Sequence, residues 1–253
     1  MTPDDRAHLL ALTNADSIET AWSMHVARMA GYGFDRLLYG FTRYRTPTSL
    51  GDPNDFLVLT NHRPAYTREF IGNGLYRHSP MVRWALEHDG PRSWGATAAA
   101  IARGELSSEA RRVVAFNASQ QVTAGYTIGF KSLSRRAKGA IALTARPGMS
   151  QEDVERIWAA HGDMIMVCNN VLHLRVLTLP YIPPDQSLTP RQREALEWVG
   201  DGKTMQDIAQ IMGLTQATVE KHLRRARDTL NVETTAQAVA KATFLNQMFI
   251  LGI

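Results

Sequence analysis

The sequence predicts an α+β chain in two parts, a mixed helix-and-strand region followed by an all-helical one. Three observations carry this. Short runs of aromatic and aliphatic residues, bounded by glycine, proline or polar clusters, recur between positions 35 and 145. Beyond them, apolar residues recur every three or four positions almost without a break. The second domain is set off by Leu179-Pro180-Tyr181-Ile182-Pro183-Pro184-Asp185-Gln186-Ser187, where three prolines in five residues remove backbone donors and favour extended chain over helix. The expected organisation is therefore a first domain over 1–178, a semi-rigid linker over 179–187 and a helical domain over 188–253.

Taken in order, Asp4 to Ala30 carries Leu9, Leu10, Leu12, Ile18, Trp22, Val26 and Met29 at broken helical spacing, and Asp16 or Ser17 is placed to cap a second helix. Strands are expected over Asp35–Tyr44, Phe56–Thr60, Gly125–Leu133 and Gly139–Ala145. From Gln151 to Thr178 the apolar residues Val154, Ile157, Trp158, Met164, Ile165, Cys168, Val171, Leu172 and Val176 mark one long amphipathic helix. Its stripe needs a partner, either the sheet of its own domain or a second subunit.

Composition narrows the function classes. A chain of 253 residues, 44% hydrophobic, can bury a substantial core, which argues against disorder or a fibrous repeat. Its single cysteine, Cys168, cannot form an internal disulfide, and the polar start MTPDDRAH lacks a secretory pattern, so a reduced, cytoplasmic compartment is expected. No apolar run approaches the ~18 residues of a membrane span. The 28 Lys+Arg against 24 Asp+Glu leave too small an excess to name a nucleic-acid partner, so the position of the charges must decide. No Gly-x-Ser-x-Gly elbow, phosphate-binding glycine loop, metal-spaced His/Glu pair or cysteine pair is present. Enzymatic activity and a bound metal are accordingly not expected.

The helical tail is more informative. Thr189, Pro190 and Gln192 form a capping-box start, Gly200-Asp201-Gly202 ends that helix, and Thr204 caps a second carrying Ile208, Ala209, Ile211 and Met212. Gly213-Leu214 makes a turn, and Thr215 caps a third helix whose Val219, Leu223, Ala226 and Leu230 share one face. Helix, glycine-containing turn, helix is the helix-turn-helix pattern. Off the apolar stripe lie Gln216, Thr218, Lys221, Arg224 and Arg225, with His222 and Arg227 nearby. Residues early in such a helix suit base edges in a major groove, and the later cations suit phosphates. The competing readings of this basic face are solvation alone or contact with another protein.

Residues 188–245 closely resemble the LuxR/GerE-type helix-turn-helix. The resemblance rests on Leu188-Thr189-Pro190-Arg191, Glu194, Leu196, Gly202-Lys203-Thr204, Asp207-Ile208-Ala209, Thr218-Val219-Glu220-Lys221-His222-Leu223, and Thr235, Ala236 and Ala238 in a fourth helix. Gln192 stands where the family usually has glutamate, and it retains the capping acceptor. The resemblance implies a four-helix domain whose third helix enters the major groove of double-stranded DNA at a two-fold related site. It also implies a homodimer, with RNA polymerase as a further candidate partner. DNA contacts are assigned to Thr204, Thr215, Gln216, Thr218, Lys221, His222, Arg224 and Arg225.

That tail occurs behind phosphorylation receivers and behind small-molecule sensors. A receiver would alternate strand and helix and place an acidic cluster near its start, an order absent here. Residues 5–178 are instead similar to the autoinducer-binding domain of the quorum-sensing LuxR receptors. The carriers are Thr60-Asn61-His62-Arg63-Pro64-Ala65-Tyr66, Phe70, Tyr76, Ser79-Pro80-Met81-Val82, Trp94, and Gly125 before Tyr126-Thr127-Ile128. The resemblance implies an α-β-α sandwich around an antiparallel sheet, no cofactor, and an acyl-homoserine lactone or related amphiphile as signal. Its ligand residues map onto His62, Tyr66, Phe70, Ser79, Trp94 and Ala142, and several depart from the family. His62 and Phe70 replace tyrosines, Tyr66 replaces a tryptophan, Ser79 replaces the aspartate that accepts from the ligand amide, and Ala142 falls where serine or threonine is common. Three uses of the site stay open: a modified acyl-homoserine lactone site, a site for a different apolar or aromatic small molecule, and a pocket that folds and lets the protein bind DNA without signal.

Overall fold

The computed structural model describes residues 2–46, 49–183 and 186–249. Pro184 and Asp185 of the expected linker, and the last four residues of the expected second domain, lie outside the described residues. The chain divides into two compact units at the 177/178 boundary.

In the first unit, α1 (Pro3–Asn14) opens on a Thr2/Asp5 capping box, and α2 (Ile18–Gly31) is capped by the Ser17 hydroxyl accepting from Thr20 N–H. Among the described residues five antiparallel strands follow: β1 (Phe34–Thr42), β2 (Leu57–Thr60), β3 (Gly90–Ser93), β4 (Gly125–Gly129) and β5 (Lys138–Ala145), in the order β2-β1-β5-β4-β3. Four lie where the sequence places them, β1 and β5 beginning one residue early, β2 one residue late, and β1 and β4 ending short. β1 stops at Thr42, whose hydroxyl turns back to accept from Tyr44 N–H and donate to the Leu50 carbonyl. β4 stops at Gly129, ahead of a Ser132–Ser134 turn. β3, Gly-Pro-Arg-Ser, carries no strand signature; it survives as an edge strand, where Pro91 need not donate on its outer side.

Alternation along the strands gives the sheet two different faces. Leu37, Tyr39, Ile128, Ile141 and Leu143 are fully buried on one face. There α7 (Gln151–Thr178) crosses them: His173 stacks on Phe130 with centroids 4.1 Å apart and its Nδ1 shares a hydrogen bond with the Tyr39 hydroxyl at 2.8 Å, and Trp158 stacks on Tyr126 at 3.8 Å. The long helix thus buries Val154, Ile165, Cys168, Leu172 and Val176 within its own unit and leaves Val167 and Leu174 exposed. Leu38, Gly40, Thr127, Ala140, Ala142 and Thr144 face the other way, toward the segment between β2 and β4. That segment holds α3 (Pro64–Thr67), running into a π-helical turn over Arg68–Gly72, then α4 (Pro80–Glu87), α5 (Gly95–Ala102) and α6 (Ser108–Ser119). The result is an α-β-α sandwich.

The described residues of the second unit form four helices: α8 (Pro190–Gly200), α9 (Met205–Met212), α10 (Gln216–Leu230) and α11 (Thr235–Phe244). Thr189, Thr204, Thr215 and Thr234 each accept from the backbone N–H three residues on, and three of the four starts close full capping boxes. Gly213 ends α9 at φ +66°, a left-handed conformation glycine takes without strain. Leu188, Leu196, Ile208, Val219, Leu223 and Leu230 form its core. Within this unit Tyr181 N–H donates to the Leu245 carbonyl at 2.9 Å, and Asn246 donates to the Leu179 carbonyl at 3.0 Å.

Candidate ligand cavity and nucleic-acid interface

The face of the sheet opposite α7 and the helices α3 to α6 line a cavity of about 300 Å³, the scale of small-molecule sites. His62, Tyr66, Phe70, Ser79, Trp94 and Ala142 all line it. The chain brings them together in three ways. Tyr66 on α3 and Phe70 in the π turn that continues it lie four residues apart, about one turn, and their stacked rings both line the cavity. Ser79 is the N-cap of α4, 5% exposed, its oxygen accepting from Val82 N–H at 3.4 Å. Trp94 follows the last residue of β3, and Ala142 is an inward position of β5.

One wall is a stack of rings: His62 on Tyr66 at 4.4 Å, Tyr66 on Phe70 at 5.3 Å and Tyr66 on Phe116 at 5.4 Å, all within 21° of parallel. Burial, reinforced by the Arg36 guanidinium and opposed by Asp35, pulls the His62 imidazole down to about 4. It is therefore neutral at pH 7, with one donor and one acceptor nitrogen. Two donors in the cavity wall are already committed. Tyr66 donates to Asn117 Oδ1 at 3.2 Å, and Trp94 Nε1 donates to Thr127 Oγ1 at 2.9 Å.

Several lining residues escape the sequence reasoning. Thr127 pairs in register with Ala142 across β4 and β5, so a hydroxyl stands next to Ala142 on the cavity face. Alternation along β4 points to it, but only once the pairing register is known. Thr144, two residues beyond Ala142 on the same face, is 1% exposed, and its hydroxyl has no hydrogen-bond partner among the described residues. Lys138 reaches the rim, donating to the His88 carbonyl at 3.0 Å and pairing with Asp89. No aspartate or glutamate is among the described lining residues.

The second unit presents a different surface. Val219, Leu223, Ala226 and Leu230 are buried, so the opposite side of α10 faces out with Gln216, Lys221, Arg224 and Arg225 exposed. None of these three cations has an ion-pair partner among the described residues. Thr218 and His222 are half-buried on the flanks. Thr204 and Thr215 are exposed but committed as caps, Thr204 to Asp207 and Thr215 to Thr218. Arg227 belongs to another role: it pairs with Glu220 at 3.0 Å and donates to the Thr235 hydroxyl at 2.8 Å, fastening α10 to α11.

Among the described residues no helix is long and apolar enough to cross a membrane, and no cluster of three His, Cys, Asp or Glu is placed to hold a metal ion. The Cys168 thiol is raised by burial to about 11, as for an inert core side chain.

Comparison with known proteins places both units. Residues 17–176 match the family model described as autoinducer binding domain, and residues 186–242 match that of bacterial regulatory proteins, luxR family. The transcriptional activator protein AnoR of Acinetobacter nosocomialis is 26% identical over 216 residues, covering 84% of this chain and 85% of AnoR. The transcriptional activator protein LuxR of Aliivibrio fischeri is 22% identical over 196 residues, 78% of this chain and 76% of its own. Among solved structures, Escherichia coli SdiA resembles the chain with a TM-score of 0.47 and 16% identity, over 97% of this chain and 98% of that one. With a sensor family matched across the sandwich and a regulator family across the helical unit, the chain belongs to the LuxR family of quorum-sensing, DNA-binding transcriptional regulators.

Proposed function

We propose that the sandwich cavity binds a small amphiphilic signal and that its occupancy governs DNA binding by α10 in a homodimer acting in the cytoplasm. The observation that carries the reading is the convergence of His62, Tyr66, Phe70, Ser79, Trp94 and Ala142 on one mostly apolar cavity. A stacked aromatic wall suits an acyl or aryl body, and the few polar groups fix a head group. On the other unit, Lys221, Arg224 and Arg225 supply the phosphate contacts. Gln216, Thr218 and His222 are placed on the first two turns of α10, where side chains reach base edges. Thr204 and Thr215 present capped helix N-termini to the backbone phosphates.

Control follows from linkage. A signal shifts the DNA-competent population only by binding that state with a different affinity, and DNA then changes signal affinity by the same factor. The homologues are transcriptional activators, so we read the chain as a regulator and not a catalyst. The test is mass spectrometry of small molecules released from the purified full chain, followed by DNA binding with the ligand removed and restored. A stoichiometric amphiphile whose restoration changes DNA affinity is expected. An empty protein that binds DNA as a dimer, indifferent to extracts, would contradict signal control.

A further inference from the structure

The loop between β4 and β5 carries an apolar tip inside a basic collar. Leu133 is 99% exposed, whereas the next most exposed large apolar side chain among the described residues, Leu174, reaches 64%. The backbone around the tip is held. The Ser132 hydroxyl donates to the Ser134 carbonyl at 3.1 Å, and the Ser134 hydroxyl accepts from Arg136 N–H at 3.1 Å. Arg45 N–H donates to the Arg136 carbonyl at 2.9 Å, tying the loop to the chain that leaves β1. Leu133 therefore stands in water instead of folding back onto the sheet, an arrangement that the hydrophobic effect opposes.

Lys131, Arg135 and Arg136 surround the tip, all exposed and none with an ion-pair partner among the described residues. No acidic residue occurs from 130 to 137. The acids that contacts place at this end of the sheet are Asp89, paired with Lys138, and Asp55, which acts on Tyr44 together with Arg136. Three uncompensated cations around an apolar apex match negatively charged head groups lying over hydrocarbon. A nucleic acid would engage the cations and leave Leu133 in water.

We propose that the 130–137 loop docks the first unit on the surface of an anionic bilayer, with Leu133 inserted below the head groups and Lys131, Arg135 and Arg136 against lipid phosphates. One apolar side chain and three cations make a reversible peripheral contact and not a permanent anchor. The proposal depends neither on what fills the cavity nor on how α10 meets DNA.

The experiment is co-sedimentation of the full chain, at low salt, with vesicles of phosphatidylcholine alone and of phosphatidylcholine mixed equally with phosphatidylglycerol. Because α10 is cationic too, the Lys221→Ala, Arg224→Ala, Arg225→Ala variant is the control. The wild-type protein should sediment with the mixed vesicles and not with phosphatidylcholine, and the α10 variant should still do so. Joint replacement Lys131→Ala, Arg135→Ala, Arg136→Ala should weaken binding about a hundredfold, the scale of three cations at an anionic surface. Leu133→Ser alone should weaken it about tenfold through lost apolar burial. These four side chains are exposed, so melting temperatures should stay within a degree or two of the wild type. No binding of the wild-type protein to the mixed vesicles would overturn the proposal. So would binding that the α10 variant loses and the loop variants keep, which would assign it to the helical unit. Wild-type binding by Leu133→Ser would overturn it as well, leaving the loop a patch for soluble polyanions.

Discussion

At the scale of single residues, each candidate group does something the structure makes measurable. Lys221 is exposed on α10 and holds no ion pair among the described residues. Lys221→Ala should therefore weaken DNA binding several-fold while leaving the melting temperature within a degree or two, read by fluorescence anisotropy and thermal unfolding. Thr127 is 4% exposed and is the acceptor for the Trp94 indole N–H. Thr127→Val keeps the shape and strands that N–H, so the urea midpoint should fall by an amount equivalent to about 1–2 kcal/mol; an unchanged midpoint would show the bond to be idle. These two residues also mark how far the sequence could be read. Lys221 was legible because helical spacing alone puts it opposite Val219, Leu223 and Ala226. Thr127 was not, because its meaning depends on the strand paired beside it, and Ala142 is fifteen positions away. Tyr66 shows a third case: its ring was expected at the cavity, but its commitment to Asn117 on α6 follows only from the tertiary fold.

Individual elements differ in how local their causes are. The described helices of the second unit are fixed by short-range chemistry, a threonine cap at each start with a glutamine or aspartate three residues on in α8, α9 and α11, and the caps of α8, α9 and α10 are legible in the sequence. Two glycines separate local from tertiary constraint. Gly213→Ala should cost about 1 kcal/mol, since φ +66° strains any L-residue while nothing lies within 4 Å of the new methyl. Gly125→Ala should cost more despite an ordinary φ. Its methyl would sit 2.2 Å from the Leu143 carbonyl oxygen and 3.0 Å from the Trp94 ring, so β4 would have to leave β5 and the cavity wall with it. Comparing chemical denaturation of the two variants checks the ranking, and equal losses would contradict it. The short strand β3 and the helices α3 to α6 were illegible for the same tertiary reason. Gly-Pro-Arg-Ser becomes a strand only because β4 offers an edge, and the π turn at Arg68–Gly72 has no periodic signature.

For the whole molecule, buried imidazoles tie stability to pH. Burial, opposed by the hydrogen bond to Asn169, lowers His25 to about 3. Burial assisted by the Lys138 charge lowers His173 to about 4, and His62 is lowered to about 4 as well. These side chains stay neutral in the folded state, while the unfolded chain takes up protons near the ordinary histidine value. Their contribution is thus complete above pH ~6.5 and is lost progressively as pH falls toward 4, on the order of several kcal/mol together. Urea midpoints should be level from pH 8 to 7 and drop steadily from 6.5 to 4.5; a flat profile over that window would contradict the buried neutral histidines. The larger claim, that a cationic helix seated on duplex DNA is the working end of a signal-sensing chain, turns on electrostatics that salt can titrate. The direct measurement is the affinity of the full chain for DNA selected from a random duplex pool, followed from low to moderate salt. It should be compared with that of a Lys221→Ala, Arg224→Ala, Arg225→Ala variant. The account predicts a linear fall of log affinity with log salt, and a slope shallower by about three in the variant, one for each phosphate contact removed. An identical slope in both proteins, or no DNA selected at any salt, would contradict it.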